Sequence, residues 1–409
     1  MTISKRLLGL GATAAIILAA CGPGTASTAP TSAPATTTTG TTAPGSAGPT
    51  AATAMKTTAC VAFDTGGLGD KGFNDLAKKG LEDAGAAGFT TFFSEAQGAT
   101  DYANNIQTLV DKGCTAIVTV GFLQSEATAQ AAAANPTIAF AQVDTAWNAC
   151  GPDFICGDDP ATADKDEGAD DTPQPANFTG LDYQVDQASM LAGYLAAGWT
   201  KSGKIGTYGG LAFPGVTRFM DGLYAGIQWH NEHKGTTVTL IGWDGSQADP
   251  VAAGGAFVGG SGGNDTWGDP AKGEQLAKTL LDQGVDIVHP VAGATGNGSI
   301  KAMQEAGKWA IGVDTDQYIS IGAPSNAALL TSAQKAIDVS VLNFFNQVEG
   351  GYLGGTDYSG TIANGGVLLA PFHDYDSQIP ADLKADLDDL KAKLSDGTLS
   401  VCRFLGRGC

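Results

Sequence analysis

The residues best suited to chemistry crowd into positions 60–75, Cys-Val-Ala-Phe-Asp-Thr-Gly-Gly-Leu-Gly-Asp-Lys-Gly-Phe-Asn-Asp. Cys60 to Phe63 is an apolar, β-branched or aromatic run of strand character that delivers Asp64 at its end. Thr65 to Gly72 is a glycine-rich turn. Leu76, Ala77, Gly80, Leu81 and Ala84 then repeat at helical spacing. Strand, glycine loop and helix in that order make the junction where open α/β sheets bind ligands, at the carboxyl ends of strands. One chemistry for it is dinucleotide binding. Gly67-Leu68-Gly69-Asp70-Lys71-Gly72 fits Gly-x-Gly-x-x-Gly, and Glu95 lies where a ribose-binding acid is wanted. Against it, Asp64 precedes the glycines and points a carboxylate at any pyrophosphate. Phe73 and Asn74 follow the last glycine, where the fingerprint simply continues its helix.

Catalytic and metal chemistry find little support. His230-Asn-Glu-His233 lacks the His-Glu-x-x-His spacing of zinc peptidases, and His289 and His373 stand alone. There is no Gly-x-Ser-x-Gly elbow and no Gly-x4-Gly-Lys-Ser/Thr loop. No nucleophile has an obvious base, so no catalytic residue, metal site or cofactor is assigned. An acidic stretch, 148–176, contains Cys150, Cys156, Asp158 and Asp159 and closes on Pro173 and Pro175. Clustered carboxylates suit calcium, but the spacing matches no calcium loop, and a solvated insertion is expected.

Composition narrows the function further. The chain has 409 residues, enough for two cores, with 22 basic and 42 acidic side chains and a net charge of −20. Such a protein has no phosphate-neutralising face for nucleic acid. Anionic lipid repels it unless it is tethered. A tether is written at the start. Lys5 and Arg6 precede an apolar run, Leu7 to Ala20, too short to span a bilayer. Leu18-Ala19-Ala20-Cys21 then has the pattern of a bacterial lipobox. Residues 1–20 read as a lipoprotein signal peptide and Cys21 as the lipidated residue. Removing 1–20 takes only Lys5 and Arg6 among charged residues, leaving −22. Residues 21–56, rich in Thr, Ala, Pro, Ser and Gly, read as a disordered tether. The remaining six cysteines of an exported chain suggest disulfides. Cys60 and Cys114 begin strands expected to be neighbours, while Cys150/Cys156 and Cys402/Cys409 are local pairs.

Beyond 57, strands and helices alternate, which implies doubly wound parallel sheets. Strands ending near Phe63, Val120 and Val143 put Asp64, Gly121-Phe122 and Asp144 on one rim. A second such unit begins near Phe178. Its strands end in Gly209-Gly210, in Val291-Ala292-Gly293 and in Asp314. A short strand is expected over Ala328–Thr331, with Lys335 near the start of a helix over Ala333–Val348. The expected division is lobe 1 at 57–177 plus 318–347 and lobe 2 at 178–317 plus 348–409.

The string Asp64-Thr65-Gly66-Gly67 … Asp70-Lys71-Gly72-Phe73-Asn74 resembles the opening motif of the basic-membrane-protein family. Arg218-Phe219, Trp267 … Asp269-Pro270-Ala271-Lys272-Gly273, Ala292-Gly293 … Thr295-Gly296, Gly312-Val313-Asp314-Thr315-Asp316-Gln317 and Thr331-Ser332 … Lys335 extend the resemblance over most of the chain from about Ala59 to about Leu399. The resemblance implies a type I periplasmic-binding-protein fold, two α/β lobes joined by hinge crossings. It further implies a lipid-anchored, extracytoplasmic receptor, monomeric, that delivers a nucleoside to an ABC permease. Phe73 is then expected to stack on the base, with Trp267, where the family usually has phenylalanine, opposite it. Asp64 and Asn74 are expected at the base edge, and Asp144, Asp314 and Lys335 at the ribose. Gly121, Phe122 and Gly293 complete the expected contacts. Two other readings are a ligand sensor signalling to a membrane receptor and an extracytoplasmic nucleoside- or dinucleotide-dependent enzyme.

Overall fold

The segments Ala59 to Phe63, Ala116 to Val120, Ala139 to Val143 and Ile287 to Val291 are buried along their whole length. Such runs cannot lie on a sheet with one wet face and must be covered on both sides by crossover helices. The computed structural model describes residues 57–147, 174–245 and 256–406 and builds this architecture twice. The first sheet contains β1 (Thr58–Phe63), β2 (Thr90–Glu95), β3 (Ala116–Val120), β4 (Ala139–Val143) and β5 (Phe178–Tyr183), in the order β2-β1-β3-β4-β5. The second contains β6 (Lys204–Gly209), β7 (Thr239–Ile241), β8 (Ile287–Val291), β9 (Trp309–Asp314) and β10 (Leu329–Lys335), in the order β7-β6-β8-β9-β10. All these neighbours are parallel. Two tail strands finish the edges: β11 (Tyr358–Gly360) runs parallel to β5, and β12 (Val367–Leu369) antiparallel to β10. Both sheets lie within one contact-dense unit, Met55–Cys409.

In each lobe the strand order reverses direction between the first and third strands, and ligands bind outside the strand ends at such a switch point. Helices α1 (Phe73–Ala86), α2 (Tyr102–Asp111) and α3 (Ser125–Ala134) follow strands of the first lobe. The second lobe carries α4 (Val185–Trp199), α5 (Pro214–Lys234), α6 (Asn264–Trp267), α7 (Pro270–Asp282), α8 (Gly293–Glu305) and α9 (Gln317–Ile321). Helix α10 (Ile337–Glu349) returns to pack on α1, and α11 (Ala381–Ser395) packs on α4. The α1–α10 contact needs Gly80, where a Cβ would lie 2.7 Å from the Asp338 carbonyl oxygen. Among the described residues no helix is long and apolar enough to cross a membrane.

The division into lobes differs from the expected one. Phe178–Tyr183, assigned to lobe 2, is the fifth strand of the first sheet, and Lys335 ends β10 of the second sheet instead of opening a helix. The expected boundary before Phe178 therefore falls inside lobe 1. The chain changes lobe at single residues, Gln184 (φ −77, ψ 58) and Ala336 (φ −80, ψ 55), and crosses a third time between β11 and β12. Both single-residue links adopt the inverse-γ conformation, which ordinary residues reach without glycine or proline. Neither crossing therefore has a compositional mark.

The expected neighbour relation of β1 and β3 holds, and Cys60 and Cys114 are disulfide-bonded across it with Cα atoms 6.0 Å apart. Cys402 is also disulfide-bonded. Residues 1–56, Cys150, Cys156, most of the acidic stretch and Cys409 lie outside the described residues.

Candidate functional site

The strand ends of both sheets face one cleft between the lobes. All of the expected contact residues line it: Asp64, Phe73, Asn74, Gly121, Phe122, Asp144, Trp267, Gly293, Asp314 and Lys335.

On the first lobe the glycine loop is stapled by its own carboxylates. Gly66 N–H donates to Asp64 Oδ1 (2.7 Å), Gly69 N–H to Asp75 Oδ1 (2.8 Å) and Gly72 N–H to Asp70 Oδ1 (2.9 Å). The amides of Lys71 and Asn74 are likewise taken by Asp75 and Asp70. A pyrophosphate arriving here meets acceptors rather than donors, the reverse of what a phosphate cradle supplies. Asn74 Nδ2 spends its hydrogens on Asp64 Oδ1 (3.0 Å) and Asp70 Oδ2 (3.1 Å). The amide thus orients Asp64 and leaves Oδ2 as that carboxylate's free edge. Burial pushes the Asp64 carboxyl up to about 6 against the hydrogen bonds from Asn74 and Gly66. A Cβ at Gly121 (φ 96) would come within 2.6 Å of Asp64 Oδ2, so only glycine admits the carboxylate there.

The second lobe supplies apolar surface. Trp267 closes α6, which Thr295 Oγ1 anchors by donating to Thr266 O (2.8 Å). Its six-membered ring lies on Gly210 at the end of β6, where a Cβ would be 2.0 Å from Cζ3. Phe213 packs beside it (centroids 5.9 Å) and stacks on Phe122 of the first lobe (5.2 Å).

At the cleft floor sits an ion cluster shared by the lobes. Lys335 is 3% exposed. Its Nζ donates to Asp144 Oδ2 (2.7 Å) and to the Gly215 carbonyl (3.3 Å). It also lies over the rings of Phe219 (4.8 Å) and Phe73 (5.3 Å). Asp314 Oδ1 is 3.5 Å away, within ion-pair range, yet accepts no hydrogen bond from the described residues. Burial pushes Asp314 up to about 6 against the attraction of Lys335 and raises Asp144 as well. Asp144 (φ 64) and Asp314 (φ 63) both hold left-handed backbone, which costs a non-glycine residue about 1–2 kcal/mol. They stand at equivalent places, Asp144 directly after the fourth strand of its lobe and Asp314 as the last residue of the fourth strand of the other. Behind them Arg218 on α5 pairs with Asp182 on β5, a second bond between lobes.

The lobes also meet at the rim. Asn297 Nδ2 donates to Asp70 O (3.0 Å), Ser320 Oγ to Lys71 O (2.6 Å) and Thr65 Oγ1 to Gly262 O. The cleft is closed, and several of its residues were not singled out from sequence. Asp70 lies in the glycine loop, but its role as a staple depends on the fold. Phe213 had a usable mark, because it directly precedes Pro214 at a helix start. Gly215 had none. A Cβ there would sit 2.7 Å from Asp144 Oδ2.

Two α/β lobes closed over a cleft at their strand ends make a fold of the periplasmic-binding type. A solved solute-binding protein of an ABC transporter system from Aeropyrum pernix has this fold, with a TM-score of 0.66 and 22% identity, covering 84% of this chain and 92% of that one. The chain belongs to the Bmp family, ABC transporter substrate-binding protein PnrA-like, which matches residues 57–248 and 263–395. It is 27% identical to Basic membrane protein A1 of Borrelia garinii over 82% of this chain and 86% of that protein. It is also 27% identical to the ABC transporter nucleoside-binding protein BmpA of Lactococcus lactis, over 84% and 88% respectively.

Proposed function

We propose that this substrate-binding protein takes a nucleoside, with a purine base, and hands it to an ABC permease from a lipid anchor at Cys21 on the outer face of the cell membrane. The observation that carries this reading is the pairing of aromatic faces from both lobes with buried carboxylate acceptors. Phe73 and Trp267 suit a flat ring, and base–aromatic stacking contributes about 1–3 kcal/mol per base. Asp64 Oδ2, Asp144 and Asp314 suit ligand N–H and O–H donors, and charged acceptors make the stronger bonds. Asn74 serves the base edge by holding Asp64. The name of the Lactococcus relative, nucleoside-binding, points the same way.

Identifying the molecule released when the purified protein is denatured tests the reading directly. Calorimetry refines it, because among the described residues the cleft has no free cation for phosphate. Lys335 is committed to Asp144, and the loop amides are committed to Asp64, Asp70 and Asp75. One unscreened like-charge contact at about 4 Å costs on the order of 4 kcal/mol at an effective dielectric near 20. Adenosine, guanosine or inosine is expected to bind about a thousandfold tighter than its monophosphate. Comparable affinities remove the pocket assignment, and tight NAD binding revives the glycine fingerprint. For the anchor, Cys21→Ser is expected to release the protein from membranes washed in high salt.

A further inference from the structure

Trp267 has an indole N–H, which a phenylalanine at its place would lack. Its Nε1 is buried and has no hydrogen-bond partner among the described residues. Side-chain donors in that state ordinarily find an acceptor or are replaced by an apolar group of similar shape. Here the ring is held rather than loose. Gly210 lets it lie on the end of β6, Phe213 flanks it, and a Cβ at Gly293 would be 3.4 Å from its carbonyl oxygen. Thr266 beside it is fixed by Thr295 and by its own bond to Gly259 O (2.8 Å). A fixed indole with an unmatched donor, on a residue that lines the cleft, reads as a donor kept for the ligand.

The direction of that donor restricts what it can reach. The indole N–H lies in the ring plane. If the ring stacks on a base, the N–H runs parallel to the base and cannot meet the base's own in-plane nitrogens. The sugar of a nucleoside, by contrast, rises out of the base plane. We propose that Trp267 is a specificity-determining residue whose indole N–H donates to a sugar oxygen of the bound nucleoside while its face covers the base. This rests on the nucleoside reading above and deepens it: the protein would select nucleosides over free bases through the second lobe's aromatic as well as through its carboxylates.

The test compares wild type, Trp267→Phe and Trp267→Leu by calorimetry, using the best-bound nucleoside, its free base, its 2′-, 3′- and 5′-deoxy forms and its carbocyclic form. Melting temperatures of the ligand-free proteins are recorded alongside. Trp267→Phe keeps a stacking face and is expected to bind the nucleoside about tenfold more weakly, the loss of one hydrogen bond. Its ligand-free melting temperature should be equal to or above wild type, because an unmatched buried donor has gone. Both proteins should bind the free base alike. One sugar analogue should bind wild type about tenfold more weakly than the parent yet lose nothing further in the phenylalanine variant. Trp267→Leu should lose affinity for base and nucleoside together. Equal nucleoside binding by wild type and Trp267→Phe overturns the proposal, as does a free base that discriminates the two as strongly as the nucleoside. Wild-type protein that binds no nucleoside overturns the underlying reading, and this proposal with it.

Discussion

The two lobes share one topology and divide the labour of the cleft between them. After the first strand of its sheet, lobe 1 places Asp64 and lobe 2 places Gly210, on which Trp267 rests. After the third strand, lobe 1 has Gly121 and lobe 2 has Ala292-Gly293. At the end of the fourth strand the lobes agree: Asp144 and Asp314 both sit in left-handed backbone and face the same ammonium. Lobe 1 thus offers carboxylates held by a hydrogen-bonded loop, and lobe 2 offers ring surface held by missing side chains. Where the lobes coincide, they meet at Lys335. The difference teaches that strand ends fix positions in space while single residues at those positions decide the chemistry.

The largest effect is expected at the point where the lobes coincide. Lys335→Met takes from two buried carboxylates the ammonium they share, and removing one member of a buried pair costs about 3–5 kcal/mol. Denaturant unfolding should show that loss, and adding Asp144→Asn should recover part of it. A Lys335→Met protein as stable as wild type would mean that the cluster does not hold the lobes together.

Stacking from each lobe is the next largest effect. Phe73→Ala should weaken nucleoside binding by about 1–3 kcal/mol with little change in melting temperature. Gly210→Ala never touches the ligand but displaces the indole, so a comparable loss is expected from lobe 2. If Phe73→Ala lowers the melting temperature sharply and leaves affinity unchanged, the ring belongs to the core instead.

Acidification should give the smallest change and distinguish binding from stability. Asp64 and Asp314 have folded-state values near 6, raised above the ordinary 3.8 by burial. A raised carboxyl contributes stability that is fully present below about 3.8 and lost as pH rises through about 6. Between pH 7 and 5 these two groups should therefore stabilise the ligand-free protein as pH falls. Ligand donors need the ionised carboxylates, so affinity should fall below about pH 6, by up to about tenfold per pH unit for each carboxylate engaged. Titration calorimetry and melting curves over one buffer series check both signs. An affinity that rises on acidification would show that the ligand is held by the neutral acids.

By itself the sequence determined the alternation of buried strands and helices, because apolar runs such as Ala116 to Val120 have no wet face to offer. It also determined which residues stand at strand ends. Asp64, Gly121, Asp144 and Asp314 each follow or close a run whose length is set by local pattern. The Cys60–Cys114 bridge followed from the same reading, once the strands beginning there were expected to be neighbours. Tertiary structure alone decided where the chain leaves one lobe for the other, since Gln184 and Ala336 make those turns with ordinary side chains. It alone decided that Lys335 ends a strand and lies over the rings of Phe73 and Phe219, contacts between residues far apart in the chain. It alone decided that the glycine loop's amides serve Asp64, Asp70 and Asp75. A glycine pattern states that a backbone can turn tightly. Which acceptors its N–H groups meet depends on where the neighbouring carboxylates are folded.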